Sequence, residues 1–373
     1  MNIEALSLQH FRNFRQVQEI TFPEKALMVA VAPNATGKTN FLESITVLLR
    51  GKSFRSALEE CVEWEYDHFI IQGRIRHEGD ESAVSVRYHS PTKKLRIEED
   101  GLPVSLVRFY SHYPFVLFLP EDTFLFSRSP ALRRNFLNTV LASSPSYLSA
   151  LVQYQRVVRQ RNAALKQAVK PEDIQVWTDL LAQHAAVVWQ QRQALADFFQ
   201  QHLTATYQNL FGTAHNFQLR LVPGTPDVAT FRETLMQSWP QEKRFSYTLY
   251  GPHRDDIVCT VDGKPVETVF SRGQLRGLVV ALKVGVYRFL KQLTGDDPLI
   301  LLDDILSELD EDRQKTLLEH LPATQILLTS TSVPESFRKR SDVYFLDLRS
   351  LLKPAPVKEK AEEHVSTAPQ PVS

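Results

Sequence analysis

The strongest constraint on the fold is a single stretch near the start of the chain. ALMVAVA, Ala26 to Ala32, is a continuous apolar run of the kind that forms a strand buried on both faces. Pro33 to Thr39 follows, small and polar. Phe41, Leu42, Ile45, Leu48 and Leu49 then keep the spacing of one helix face. A buried strand that turns through a tight loop into a helix commits the chain to an α/β architecture.

The loop itself, APNATGKT, fits the pattern GxxxxGK[ST] except at its first position, where Ala32 replaces glycine. In this arrangement backbone N–H groups converge on a phosphate and the helix dipole faces it. Ala32, Pro33, Asn34, Ala35, Thr36, Gly37, Lys38, Thr39 and the adjoining Asn40 are therefore the candidate nucleotide-binding residues. Lys38 supplies a point charge for the β and γ phosphates, and the Thr39 hydroxyl a ligand for Mg²⁺. A GKT arising by chance at a turn would lack the two flanks seen here.

Such a loop needs a carboxylate from the end of a neighbouring buried strand, and LILLDD, Leu299 to Asp304, offers two. Asp303 is the metal candidate. Asp304, next to it, is placed to orient or deprotonate an attacking water. Upstream, FSRGQ precedes a helix with apolar positions at Leu275, Leu278, Val279, Leu282, Val286 and Phe289. Ser271, Arg272, Gly273 and Gln274 at that start form either an anion site or an ordinary cap by Ser271.

The rest of the chain supports these motifs. Ile3 to Phe22 reads as extended pieces interrupted at Arg12 and Asn13, and Phe69 to Val107 as antiparallel strands. Between Leu132 and Phe211 glycine is absent, and Pro145 and Pro171 stand where helices start, which predicts three helices, the last two an antiparallel hairpin. Leu151, Tyr154, Val158 and Leu165 on one arm would face Trp177, Leu181, His184, Val188 and Leu195 on the other. Strand-like sequence resumes near Phe245. This division predicts an ATPase lobe built from residues 1–120 and 244–352, a helical lobe over 121–243, and a disordered, Pro- and charge-rich tail over 353–373.

Composition excludes several classes. The 43 Lys and Arg balance 43 Asp and Glu, so the chain is no uniformly basic nucleic-acid binder. Cys61 and Cys259 are too few for a disulfide framework or a cysteine zinc site. No run approaches the ~18 apolar residues of a membrane span, and the first residues lack a signal-peptide pattern, so a cytoplasmic, nucleoid-associated protein is expected.

The zero net charge conceals a local excess. Ser127 to Lys170 carries eight basic residues and no Asp or Glu. At ~100° per residue, Arg156, Arg159, Lys166 and Lys170 share one helical arc opposite the apolar stripe. That row suits a DNA backbone, although a solvated helix face has the same pattern. Arg133 and Arg134 either join this DNA-binding set or hold the helical lobe to the ATPase lobe. Arg161 lies on the apolar side, placed to pair with the second helix or with a partner.

Taken in order, these motifs resemble the ATPase heads of the ABC and SMC superfamily. More specifically, HFRNF, NATGKTNFLESI, FLPED, RRNFLN, YQRVVRQRNAALK, GPHRDD, FSRGQ and LLDDILSELD resemble the RecF family of bacterial recombination mediators up to about residue 350. The resemblance implies a P-loop ABC/SMC-type head with an inserted helical lobe containing a short hairpin. It implies an ATP- and Mg²⁺-dependent homodimer in which Ser271 to Gln274 of one copy cap the ATP of the other. Catalysis would fall to Asp304 and Lys38, with Ser307 and Asp310 in a D-loop and Thr329 or Thr331 sensing the γ-phosphate, unless TSTS is merely a hydroxyl-rich strand end. Arg12 and Asn13 would touch the nucleotide, and Arg55 is either a similar contact or a solvated loop residue.

The same resemblance implies a slow DNA-dependent ATPase of replication, recombinational repair and the SOS response. It would bind duplex DNA, single-strand/duplex junctions and single strands, with RecR and RecO as partners and no membrane. Ala32 and Ala35 stand where that family carries glycine. They keep open a DNA-binding module with an impaired ATP site, beside an SMC-like repair head or a transport ATPase.

Overall fold

The computed structural model describes residues 1–24, 27–77, 79–305, 324–333, 337 and 342–352. The chain opens with a hairpin, β1 (Asn2–Phe11) and β2 (Phe14–Thr21), turned at Arg12 and Asn13. β3 (Leu27–Val31) leads through the phosphate loop into α1 (Lys38–Arg50). An antiparallel run follows: β4 (His68–His77), β5 (Asp80–His89), β6 (Lys94–Glu99) and the short β7 (Leu102–Pro103). With the first hairpin these make a six-stranded sheet in the order β2-β1-β4-β5-β6-β7.

After α2 (Leu106–His112) and β8 (Phe115–Phe118) the chain turns helical, with α3 (Pro130–Leu141), α4 (Pro145–Gln167) and α5 (Gln175–Phe211). It returns through β9 (Phe217–Val222), α6 (Phe231–Gln237) and α7 (Trp239–Phe245) to β10 (Asp256–Val261), β11 (Lys264–Pro265) and α8 (Val266–Val269). Phe245 thus closes a helix, and the strand expected near it begins at Asp256. α9 (Arg272–Thr294), β12 (Leu299–Asp303), β13 (Ile326–Ser330) and β14 (Val343–Asp347) complete the described elements.

β14, β3, β13, β12 and β8 form, in that order, an all-parallel sheet. Its inner strands β3, β13 and β12 are buried on both faces. Val29, Ile300 and Leu302 join the core beneath the helices, whereas Met28, Ala30, Leu299 and Leu301 join the core shared with α1 and the antiparallel sheet. A strand covered on both sides must be apolar at every position, which is why ALMVAVA and LILL carry no alternation. α1 fills the space between the sheets with Phe41, Leu42, Ile45, Leu48 and Leu49 wholly buried, each worth ~1.5–3 kcal/mol of transfer free energy.

The hairpin is formed by α4 against α5. Its buried stripe runs through Leu151, Tyr154, Val157 and Leu165 and, on α5, Leu181, Ala185, Val188 and Leu195. The expected Val158 and His184 sit one residue off this line and are only half-buried. α5 also packs on α9 and β9, which joins the hairpin to the helix that follows FSRGQ.

Candidate nucleotide site and basic face

The parallel order of the central sheet brings two distant loops together. β3 and β12 flank β13, so the loop after Val31 and the carboxylates after Leu302 emerge at the same edge. There the Thr39 hydroxyl donates to Asp303 Oδ2 at 2.8 Å. The other Asp303 oxygen, Oδ1, accepts from the Thr329 hydroxyl at 2.8 Å, and that hydroxyl in turn accepts from the Asp304 backbone N–H at 3.0 Å. A hydroxyl and a carboxylate in contact are a hard oxygen pair of the kind that holds Mg²⁺ through one or two protein ligands. Thr329 is fully buried and its O–H is engaged by Asp303, so it acts on the site through that carboxylate and does not itself face the cleft. Thr331 is exposed beyond the strand end.

Lys38 is buried, its Nζ 3.0 Å from Asn34 Oδ1 and 3.2 Å from the Ala32 carbonyl. Gly37 starts the helix at φ 106°, and a Cβ there would lie 2.5 Å from the Asn13 side chain. Asn13 therefore closes over the loop: its Nδ2 donates to the Thr36 carbonyl at 2.9 Å, and its Oδ1 accepts from Asn40 Nδ2 at 2.7 Å. Glycine is required here by shape as well as by torsion. Ala35 adopts φ 62°, a left-handed conformation that costs a side-chain-bearing residue roughly 1–2 kcal/mol. Ala32 has no such torsion and is buried, so alanine is accommodated at that position without strain.

Arg12 takes a different place from the one expected. Its guanidinium grips Glu43 of α1 with Nε and Nη2 at 2.9 and 2.8 Å and also donates to the Glu60 carbonyl. Four N–H and O–H donor atoms thus converge on the buried Glu43, because Arg55 Nη2 and the Ser53 hydroxyl also donate to it, at 2.8 and 2.6 Å. Burial alone would raise that carboxyl, but the hydrogen bonds from Arg12, Arg55 and Ser53 more than offset it and hold Glu43 at about 2. Arg12 fastens the first hairpin to α1 and is not among the residues lining the cleft. Arg55 is exposed, lines the cleft and also bonds Asn40.

The cleft has a volume of about 690 Å³ and lies between the phosphate loop, the carboxylates and the helices. Lys38, Thr39, Asp303 and Asp304 share it with Asp122 and Lys283. The last two form an ion pair at 2.8 Å, tying α9 to the turn after β8. Motif reading did not find Lys283, because a lysine within an apolar helix carries no local signal. Ser271 caps α9: its Oγ accepts from the Gln274 N–H at 3.3 Å while Gln274 Oε1 accepts from the Ser271 N–H at 2.9 Å. Ser271 and Arg272 are exposed and outside the cleft lining, and Gly273 is half-buried. Ser307, Asp310 and the tail lie outside the described residues.

The basic segment divides into two groups. Arg156, Arg159 and Lys166 are exposed on α4. Lys170 is exposed too but lies past the end of the helix, at the cap of a 3₁₀ turn over Pro171–Ile174, so it does not extend the row by helical geometry. Arg133 is buried and forks onto Asp256 with contacts of 2.6 and 3.0 Å, while donating to the Leu125 and Arg128 carbonyls. This corrects its assignment to a DNA face: all the donors of its guanidinium fork are directed into the protein. Arg134 is half-buried and donates to the Asp255 carbonyl at 3.0 Å. Both arginines hold α3 to the start of β10. Arg161 is completely buried, with Glu242 at 2.6 Å, Thr178 at 3.2 Å and Thr248 at 2.9 Å.

GPHRDD, Gly251 to Asp256, becomes intelligible only in the fold. Asp255 accepts from Arg192 at 2.6 Å, from the Trp189 indole at 2.9 Å and from the Gly224 N–H at 2.6 Å, all in the interior. His253 Nδ1 lies 2.5 Å from the Tyr154 hydroxyl, and Gly251, at φ 133°, leaves no space for a Cβ beneath that same hydroxyl. Burial lowers His253 to about 4, only partly countered by its bond to the Thr248 carbonyl.

A parallel sheet with a phosphate loop at one strand end, an acidic strand end beside it and an inserted helical hairpin defines a P-loop ATPase head of the ABC/SMC type. Residues 1–109 match the family model described as an AAA domain. The DNA replication and repair protein RecF of Exiguobacterium sp. is 34% identical over 349 residues, covering 89% of this chain and 93% of the relative. Its counterpart in Geotalea daltonii is 30% identical over 345 residues, covering 89% and 94%. Two solved structures of the recombination mediator protein RecF in the RecFOR pathway also match. The one with ATP superimposes with a TM-score of 0.83 at 25% identity, covering 89% of this chain and 92% of that one. The one with ATPrS gives 0.82 at 26%, covering 93% and 97%. The chain belongs to the RecF family.

Proposed function

We propose that this chain is an ATP-dependent DNA-binding protein of replication and recombinational repair. The observation that carries the proposal is the Thr39–Asp303 contact, which joins the phosphate loop to the acidic strand end across the central sheet. Lys38 and the loop N–H groups would hold the phosphates, and Thr39 and Asp303 the Mg²⁺, which when bound neutralises phosphate charge. Asp304 would orient the attacking water. Its carboxylate is one carbon shorter than a glutamate, in keeping with slow hydrolysis.

Ser271 and Arg272 are exposed, and Ser271 to Gln274 lie outside the cleft of their own chain, which suits a role on the ATP of a second copy. Two copies would then close on DNA, with Arg156, Arg159 and Lys166 on phosphates and Lys170 and Arg134 at the margins of that face. Residues 1–120 and 244–352 act in this reading as the ATPase lobe and 121–243 as the DNA lobe. Duplex DNA and single-strand/duplex junctions are the substrates, with RecR and RecO as partners. No helix among the described residues is long and apolar enough to cross a membrane.

Light scattering tests the sandwich. ATP should double the mass of the wild type, Lys38→Met should stay monomeric, and Asp304→Asn should remain dimeric after the wild type has hydrolysed its ATP. An unchanged mass in all three would refute the proposal.

A further inference from the structure

Against the C-terminal part of α4, the helix that carries Arg156, Arg159 and Lys166, lies a group of side chains that neither the nucleotide site nor the phosphate row uses. Phe245 and Tyr247 are 50% and 39% exposed, far above what large aromatics show when they serve the core. Their rings lie 5.7 Å apart with planes inclined by only 31°. Each carries an arginine: Arg244 lies over the Phe245 ring at 5.8 Å and Arg254 over the Tyr247 ring at 5.6 Å. Both arginines are exposed, and neither forms an ion pair with a carboxylate among the described residues.

The backbone builds this arrangement deliberately. Ser246, between the two aromatics, sits in the left-handed region at φ 58°. That residue ends α7, so that positions two apart, which would point to opposite sides if the helix continued, stand together. The flanks are pinned to α4. Lys243 Nζ donates to the Leu165 and Lys166 carbonyls at 3.1 and 3.2 Å, and the Thr248 N–H and hydroxyl both donate to Asn162 Oδ1 at 2.8 Å. The Leu249 N–H donates to Glu242, itself locked by Arg161, and His253 bonds Tyr154. The aromatic pair is therefore held rigidly against the helix that carries Arg156, Arg159 and Lys166.

We infer that Phe245 and Tyr247, with Arg244 and Arg254, form a stacking platform for the unpaired bases of a DNA strand whose backbone runs along α4. Exposed aromatics interleaved with arginines and next to a cationic row are what a single strand needs, since every base offers a π face and every nucleotide a phosphate. A closed duplex has its bases already stacked and would gain nothing from the rings. The platform would therefore distinguish a junction or gap from plain duplex, which the phosphate row cannot do. This inference rests on the DNA-binding reading above.

The test uses the full chain and three fluorescent DNAs: a blunt duplex, the same duplex with a ten-nucleotide single-stranded extension, and the single strand alone. For Phe245→Ala and Tyr247→Ala, affinity for the extended duplex and the single strand should fall about tenfold each. Blunt-duplex affinity and the salt slope should stay unchanged, because no charge is removed. Tyr247→Phe should retain binding. The charge-reversal variant R156E/R159E should weaken all three DNAs and lower the salt slope.

If the aromatic variants bind every DNA as the wild type does while the charge variant is weakened, the platform is wrong and the DNA reading stands. If the charge variant also binds normally, or the wild type binds no DNA, both fail. Loss on the blunt duplex equal to that on the extension would also overturn the platform. So would a changed mass of the aromatic variants in light scattering without DNA, which would make the patch a surface between protein copies.

Discussion

The nucleotide cleft and the junction between α5 and β10 are both built from arginine or lysine, aspartate and hydroxyl groups, yet they use them in opposite ways. At the junction Arg192 meets Asp255 inside the protein, and between α4 and α7 Arg161 meets Glu242 in the same way, all four fully or almost fully buried. In the cleft Lys38 bonds, among the described residues, only neutral loop oxygens, and Asp303 accepts from two hydroxyls. Neutralised charges specify a structure, whereas charges held by neutral groups are kept ready for a ligand. The same contrast divides the basic segment. Arg133 and Arg161 are consumed by the fold, while Arg156, Arg159 and Lys166 face outward.

The contrast can be broken most severely at the junction. Asp255→Asn would leave Arg192 buried without a countercharge, at a cost of about 3–5 kcal/mol. Denaturant titration should show that loss, while Lys38→Met, which removes a charge with no ionic partner, should leave the unfolding midpoint nearly unchanged.

Acid should also reach the junction before the cleft. His253 is held at about 4 against an ordinary value near 6.5, so the folded state binds fewer protons than the unfolded one. Stability from this group is complete above pH ~6.5 and is lost as the pH falls toward 4, by about 3 kcal/mol in all. Glu43, held at about 2, follows between pH ~4.5 and 2. Melting curves from pH 8 to 4 test this. His253→Gln should flatten the decline above pH 4.5, and an unchanged slope would refute the assignment.

The smallest effect is expected in the loop. Ala35→Gly relieves the left-handed alanine but also frees the unfolded chain, so the net gain should be within about 1 kcal/mol. Nucleotide titration should show equal or somewhat tighter binding. Weaker binding would mean that the alanine is itself part of the loop's working geometry.

The phosphate loop was legible in the sequence because its residues are adjacent in the chain, whereas its meeting with Asp303, 264 positions from Thr39, was decided by the order of the sheet. The order of torsions and donors in Ala32 to Asn40 is a local matter, and a run such as LILL has to be buried on both faces whatever surrounds it. The hairpin was readable to within a residue, since periodicity fixes a stripe but not which of two neighbours lies deepest. Arg12 was expected at the nucleotide, and no local signal announces its partner Glu43, 31 positions away on α1. Lys283 and the roles of Asp255 and His253 left no local signal at all.

Sequence by itself determined the strand, loop and helix, the acidic strand end, the helix that follows FSRGQ and the local excess of positive charge. These depend on backbone torsion and on periodicity, which neighbouring residues dictate. Only the tertiary structure decided which charges are satisfied internally. Whether an arginine is a structural pin or a surface for phosphate depends on a carboxylate tens or hundreds of residues away, and chain folding alone brings the two within reach.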